Sequence, residues 1–201
     1  LHTGRRTNVF LGALAVAVTF LAVRLLSNTA GGLVGAAVLT FHPLQAWHNR
    51  LALADTTLTL TLAALVLTLI LLVRRPGWFK ALAVGILIGL GGANKLTPMA
   101  LAFVVAGAGG ILLLWAIWRN AQLRLDGEPW YRLIPGIQHL SWMLISAPIV
   151  AGATFVAIYP YLWTNPISNT LRVLDFRQNE MDVQARLYPQ FAVETPGEAI
   201  Q

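Results

Sequence analysis

Long apolar segments separated by short polar connections dominate this chain of 201 residues. A helix that crosses a bilayer needs about 20 mainly apolar residues, and no segment shows the polar/apolar alternation of a barrel strand. The pattern predicts an all-α, polytopic transmembrane bundle in which residues 1–163 form the membrane region and residues 164–201 an external loop segment. The six predicted spans cover residues 8–26, 29–47, 55–73, 79–94, 96–118 and 138–159.

Composition supports a protein that resides in the bilayer. Hydrophobic residues make up 57% of the chain and charged residues only 11%, whereas a soluble domain carries about 25% charged residues. The chain has no cysteine, which excludes disulfides and thiolate metal ligands. The net charge of +6 does not indicate nucleic-acid binding, because the basic residues cluster at the ends of the apolar segments.

The distribution of lysine and arginine predicts the orientation, because cytoplasmic loops carry the excess of basic residues. One set of alternate connections holds seven of them, and the opposite short connections hold only Arg50 and Lys95. Asp55, His48 and the segment after Tyr159 then share the extracytoplasmic side with Arg50 and Lys95, although Arg5 and Arg6 do not follow the rule. The seven basic residues are Arg24, Arg74, Arg75, Lys80, Arg119, Arg124 and Arg132.

Asp55 lies where the third apolar segment begins, and its role has two interpretations. It could cap the helix by accepting from free N–H groups, or it could belong to a polar site at the membrane surface. Arg50 precedes it by five residues, about 140° around a helix at 100° per residue, so a simple ion pair within one helix is not expected. His48 fits either an interfacial histidine or a catalytic or metal-binding one.

Lys95 interrupts another apolar stretch, between Gly91-Gly92 and Thr97-Pro98, which we expect to break the helix locally. A broken helix is tolerated at membrane depth where it lines a cavity, and a cation there favours an anionic ligand such as phosphate. The other interpretation is a lysine that extends its ammonium group to the interface. The Gly85/Gly89 pair predicts close helix packing.

The order of these features resembles the polyprenyl-phosphate-dependent membrane glycosyltransferases of the C-type superfamily. The types most similar to it are the protein O-mannosyltransferases and the aminoarabinose transferases. Four stretches carry the resemblance, which extends over roughly residues 8–190: Phe41-His42-Pro43, Arg50 to Asp55, Gly85 to Pro98, and Tyr159-Pro160-Tyr161-Leu162-Trp163-Thr164-Asn165-Pro166.

The resemblance implies inverting transfer of a sugar from a polyprenyl-phosphate donor to a protein or lipid acceptor at the extracytoplasmic face. Lys95 would bind the donor phosphate, and Asp55 and Arg50 would be the catalytic residues, with Asp55 orienting Arg50 or the acceptor. No soluble cofactor is expected. We predict no metal site, since His48 and Asp55 are too few ligands to define one, and whether a divalent metal takes part stays open.

The chain departs from the family at its start. The resemblance places the catalytic base in an acidic motif of the first external loop, yet no acidic residue precedes Asp55. We therefore expect a fragment that begins after that loop. Two alternatives stay open: a non-catalytic, transferase-like membrane subunit of a larger complex, and a transporter segment.

Overall fold

The computed structural model describes residues 2–43, 45, 54–125 and 135–188. These residues are almost entirely helical and include no strand, so the prediction of an all-α bundle is confirmed. The α-helices are α1 (His2–Leu26), α2 (Thr29–Phe41), α3 (Ala54–Arg74), α4 (Trp78–Asn94), α5 (Met99–Leu125), α6 (Pro135–Ile145), α7 (Ala147–Ile158) and α8 (Pro166–Leu187), with a 3₁₀ turn at Pro160–Leu162.

Four segments of the described chain are long and apolar enough to cross a membrane: Gly4–Leu26, Asp55–Arg74, Met99–Arg119 and Ile137–Ile158. They coincide with the first, third, fifth and sixth predicted spans. The other two predicted spans form shorter apolar helices, α2 with 13 residues and α4 with 17. Helix α2 ends at Phe41 because His42 is extended, as expected of a residue that precedes a proline.

The sixth predicted span is interrupted at Ser146, which separates α6 from α7. Pro148 has no N–H to donate into a continuous helix. The Ser146 carbonyl instead accepts from the N–H groups of Ile149 and Val150, each at 3.2 Å. Its hydroxyl donates to the Met143 carbonyl at 2.7 Å, so the polar groups of Ser146 stay paired inside the apolar segment.

Glycines bring α4 and α7 into close contact. A Cβ atom on Gly85 would lie 2.4 Å from Val150 Cβ, and one on Gly89 would lie 2.6 Å from the Ala151 carbonyl oxygen. Only small residues allow such an approach, so the packing role predicted for Gly85 and Gly89 is confirmed. Contacts advance along both helices in the same direction, reaching Phe155 at Gly92, and α4 and α7 are therefore parallel.

Two further contacts define the ends of the bundle. The Arg74 guanidinium donates to the Leu25 carbonyl, which joins the last turns of α1 and α3. The rings of Trp78 and His139 meet edge to face at 5.7 Å, which joins the start of α4 to α6. We call this the basic end, and the opposite end, where α3 begins and α4 finishes, the Asp55 end. Because α7 runs parallel to α4, it finishes at the Asp55 end.

The bundle surface is apolar, as a lipid-facing surface must be. Phe79, Phe103 and Ile149 are 90%, 71% and 76% exposed. Hydroxyl groups within the helices donate to carbonyls one turn earlier, as Thr68 does to Ala64 and Thr154 to Val150. The interior comprises Leu65, Leu72, Ala81, Val84, Ile88, Ala102, Val105, Leu140, Met143, Leu144, Ala147 and Ala151.

Residues from Tyr159 onward form a separate unit. Its described part comprises the 3₁₀ turn and α8, so a helix forms inside the segment predicted to be an external loop; the location of this segment outside the membrane stays a prediction. Asn169 is 7% exposed, and its amide donates to the Tyr161 carbonyl at 2.7 Å and to Thr164 Oγ1 at 3.3 Å. This amide fixes the turn that leads into α8.

Candidate functional site

Asp55 lies in the first turn of α3. A carboxylate at this position interacts favourably with the partial positive charge of the helix N-terminus. Its side chain is 25% exposed, so it is neither buried in the core nor fully solvated. The helix therefore fixes Asp55 at the edge of the apolar segment.

Lys95 lies at the same end of the bundle as Asp55, directly after the last residue of α4. Helix α4 continues through Gly91-Gly92 and ends at Asn94, and Lys95 has extended backbone angles, so the break lies between the two predicted spans. The Lys95 N–H still donates to the Gly91 carbonyl at 2.9 Å. A Cβ at position 92 would lie 2.5 Å from Met99 Sδ, so the start of α5 lies close to the end of α4.

The two side chains form an ion pair. Lys95 Nζ donates to Asp55 Oδ1 at 2.5 Å, with the lysine side chain 54% exposed. An exposed ion pair in water contributes about 0–1 kcal/mol, which is too little to explain the pair as a stabilising device alone. At a bilayer edge the pair also lowers the cost of keeping two charges close to hydrocarbon.

The ion pair with Asp55 uses only part of the hydrogen-bonding capacity of the Lys95 ammonium group. A lysine ammonium has three N–H donors, and Asp55 Oδ1 takes one of them. Because the Lys95 side chain is half-exposed, its ammonium group can approach an anion while it keeps its carboxylate partner. Lysine binds phosphate as a point charge in many proteins, and the position of Lys95 is compatible with that chemistry.

Thr59 follows Asp55 by one helical turn and extends the polar edge into the bundle. Its hydroxyl lies 2.9 Å from the Asp55 carbonyl and 3.1 Å from Gln45 Oε1. Gln45 is 7% exposed. The polar groups of the Asp55 end continue to Thr61 and thus give way to apolar side chains within about two turns of α3.

An apolar cavity of about 320 Å³, widely open to the surface of the bundle, lies between α1, α2 and α3. Helix α3 contributes Thr59, Leu62, Ala63 and Val66 to its wall, and α1 contributes residues of its last two turns. Among the described lining residues only two carry a hydroxyl group, Thr59 and Thr19. The cavity therefore begins one turn away from the ion pair and accepts apolar groups.

The four predicted site residues are only partly covered by the structure. Asp55 and Lys95 come together, although they are 40 positions apart. Arg50 and His48 lie outside the described residues, so their predicted roles stay predictions. The sequence reasoning assigned Asp55 to Arg50 or the acceptor and missed Lys95 as its partner; the signal was present in their opposite charges and shared predicted side.

Comparison with known proteins identifies the family. The model of the dolichyl-phosphate-mannose-protein mannosyltransferase family matches residues 3–163, and no curated protein or solved structure matches the chain. The chain therefore belongs to this family of membrane glycosyltransferases, whose sugar donors are linked to polyprenyl phosphate. The match covers α1 to α7 and contains both Asp55 and Lys95, so the predicted resemblance is confirmed.

Proposed function

We propose that this protein transfers a sugar, mannose in the first instance, from a polyprenyl-phosphate donor to an acceptor hydroxyl at the extracytoplasmic face, with Lys95 binding the donor phosphate. The observation that carries the proposal is the Lys95–Asp55 ion pair, in which the lysine side chain is half-exposed at the edge of an apolar bundle. A lipid phosphate has its anionic group at this same boundary between water and hydrocarbon.

The ion pair suits a leaving group whose charge grows during the reaction. Attack by the acceptor oxygen forms a bond to the anomeric carbon while the bond from that carbon to the phosphate oxygen breaks. The bonding electrons leave with the phosphate, which becomes a polyprenyl monophosphate. A cation placed at the departing oxygen stabilises the transition state more than the ground state, which is the requirement for catalysis.

Asp55 has a positioning role in this proposal. It holds the Lys95 ammonium group beside α3 and neutralises it when no donor is bound. Arg50, five residues earlier, is proposed to assist with the phosphate or to orient the acceptor. The acceptor proton passes to a general base, which the family resemblance assigns to an acidic motif that residues 1–54 do not contain.

The extracytoplasmic location rests on the charge distribution between the two ends. Arg24, Arg74, Arg75 and Lys80 gather where α1 and α3 finish and α4 begins, and an excess of basic residues favours the cytoplasmic side. The Asp55 end is then extracytoplasmic. The contacts from Arg74 to Leu25 and from Lys95 to Asp55 support this division, because each joins helix ends that the charge count assigns to the same side.

One experiment tests both the reaction and its side. Sealed vesicles of either orientation, containing the intact protein and polyprenyl-phosphate mannose, are given a membrane-impermeant peptide rich in serine and threonine. We expect mannosylated peptide only where the Asp55 end faces the outer solution, and none when nucleotide-linked mannose replaces the lipid donor. Equal transfer in both orientations would contradict the proposed side, and absence of transfer in both would contradict the proposed reaction.

A further inference from the structure

Basic side chains gather at the basic end of the bundle, where α1 and α3 finish and α4 begins. The residues are Arg24 in the last turn of α1, Arg74 in the last turn of α3, Arg75 directly after it, and Lys80 in the first turn of α4. The three arginines are exposed. Among the described residues of the bundle the only acid is Asp55, at the opposite end. No described carboxylate of the bundle therefore offsets this positive charge.

The connection between α3 and α4 is held by neutral acceptors. The Arg74 guanidinium donates to the Leu25 carbonyl, and the Lys80 ammonium donates to the Arg75 carbonyl at 2.6 Å. These carbonyls fix the connection without neutralising any charge. A guanidinium has five N–H donors, and the Leu25 carbonyl occupies only part of that capacity in Arg74. Two adjacent arginines at a fixed connection can therefore bind an anion.

Helix α4 continues from this connection with an exposed apolar stripe. Phe79, Leu82, Ile86 and Leu90 are all exposed, and their relative positions 0, 3, 7 and 11 place them on one face of the helix. We call these four residues the α4 stripe. At 1.5 Å per residue it extends about 17 Å, close to the depth of one leaflet, which is half of a hydrocarbon core of roughly 30 Å. Trp78, directly before the stripe, is also exposed, as is typical of a membrane interface.

We propose that the basic end binds an anionic phospholipid, whose phosphodiester lies at Arg74 and Arg75 and one of whose acyl chains lies along the α4 stripe. Charge followed by apolar surface matches such a lipid in order. Guanidinium groups bind phosphate oxygens in a bidentate manner, and basic residues near a bilayer surface attract anionic lipids. This site lies at the opposite end of the bundle from Lys95 and does not depend on the proposed sugar transfer.

Native mass spectrometry of the intact protein in detergent tests the preference for this class of lipid. The protein is titrated with phosphatidylglycerol, with phosphatidylcholine of the same acyl chains, and with glycerophosphoglycerol, which has the anionic headgroup but no chain. We expect phosphatidylglycerol to bind roughly 25-fold more tightly than phosphatidylcholine, because each of two basic residues contributes about fivefold. Equal binding of the two lipids would overturn the site, and so would displacement of phosphatidylglycerol by an equal concentration of glycerophosphoglycerol.

A second arginine pair provides the matched control. Arg5 and Arg6 lie near the start of α1, and both are exposed. Arg74→Gln with Arg75→Gln should weaken phosphatidylglycerol binding roughly 25-fold. Arg5→Gln with Arg6→Gln removes the same charge but should change binding by about twofold or less, since exposed charges more than ~10 Å away are largely screened. Equal losses in both variants would show a response to net charge alone and would overturn the site.

Two further comparisons exclude a folding defect and test the position of the chain. Arg74→Lys with Arg75→Lys keeps both charges and should retain the affinity within about threefold; a loss as large as that of the glutamine pair would contradict a phosphate held by these charges. Phe79→Ala should weaken phosphatidylglycerol binding roughly threefold because it removes apolar surface from the stripe. Phe103→Ala, at an exposed position of α5, should match the wild type, and equal effects of the two phenylalanine variants would overturn the placement along α4.

Discussion

The α4–α7 contact and the space between α1, α2 and α3 represent opposite ways of packing helices in one bundle. At the first, glycines at positions 85 and 89 leave no room for even one added carbon atom beside Val150 and Ala151. At the second, side chains of ordinary size leave about 320 Å³ between the helices. The two regions are adjacent, because α4 of the first contacts α3 of the second, yet only the first is closely packed.

The difference bears on how a lipid substrate can be held. Helix association in a bilayer depends on close packing because lipid tails are as apolar as the side chains. The closely packed α4–α7 contact fixes the helix that Lys95 directly follows. The looser region lies beside the helix that carries Asp55, and its space remains available to a hydrocarbon chain. A fixed charge beside an accommodating cavity suits an amphiphilic ligand.

The largest expected effect comes from adding a methyl group to the α4–α7 contact. Gly89→Ala would place its Cβ 2.6 Å from the Ala151 carbonyl oxygen, so the backbones must separate. We expect a loss of about 1–3 kcal/mol in unfolding free energy, measured by thermal unfolding of the purified protein in detergent. The control is Gly152→Ala on α7, where an added Cβ has no neighbour within 4 Å. Equal melting temperatures for both variants would contradict the close contact.

The next largest effect is expected at the ammonium group of Lys95, which directly follows α4. Lys95→Ala should reduce kcat/KM for sugar transfer roughly 100-fold, the scale of losing one donor to a transition state, and Lys95→Arg should recover part of it. Lys80→Ala is the matched control at the basic end, where the ammonium donates to the Arg75 carbonyl at 2.6 Å. If both alanine variants had the same activity, Lys95 would be an interfacial lysine without a role in transfer.

Much of this architecture could be predicted from the sequence because apolar length directly reports bilayer crossing. The ends of α3 and α4 were predicted within about two residues, the usual limit for helix boundaries. Span six was predicted as one helix, but Ser146 separates α6 from α7 because Pro148, two residues later, has no N–H to donate. The helix of span two is shorter than predicted, because Pro43 favours an extended conformation at His42 and the apolar pattern does not report this effect.

The candidate site was less accessible to sequence reasoning because its partners are distant in the chain. Lys95 and Asp55 were each singled out, but side-chain pairing depends on how α3 and α4 lie together, which periodicity does not specify. Asn169 shows the same limit, since a polar residue in a polar segment reads as solvated although it is 7% exposed and donates to the Tyr161 carbonyl. Composition reports the environment of a segment but not the contacts of one amide.

A smaller effect is expected at the carboxylate that holds Lys95. Asp55→Asn keeps an oxygen in the first turn of α3 and removes a charge–dipole interaction of about 0.3–1 kcal/mol, so the melting temperature should fall only slightly. Activity should fall roughly tenfold, about 1.4 kcal/mol, because the ammonium group is less firmly placed. Added to Lys95→Ala, the change should cost nothing further, since coupled residues are non-additive. Independent, multiplicative losses would show that Asp55 acts on another group.

The smallest effect is expected at Val66, when the same substitution is made in each of the two regions. Val84 is 1% exposed in the closely packed interior, whereas Val66 is 47% exposed and lines the cavity. Val84→Ala should cost about 1–2 kcal/mol in unfolding free energy, because a buried cavity is created. Val66→Ala should change stability by about 0.5 kcal/mol or less, since its neighbours already leave space. Thermal unfolding without added lipid measures both. Equal destabilisation by both substitutions without lipid would show that the cavity side is as closely packed as the interior, and the comparison between the two regions would fail.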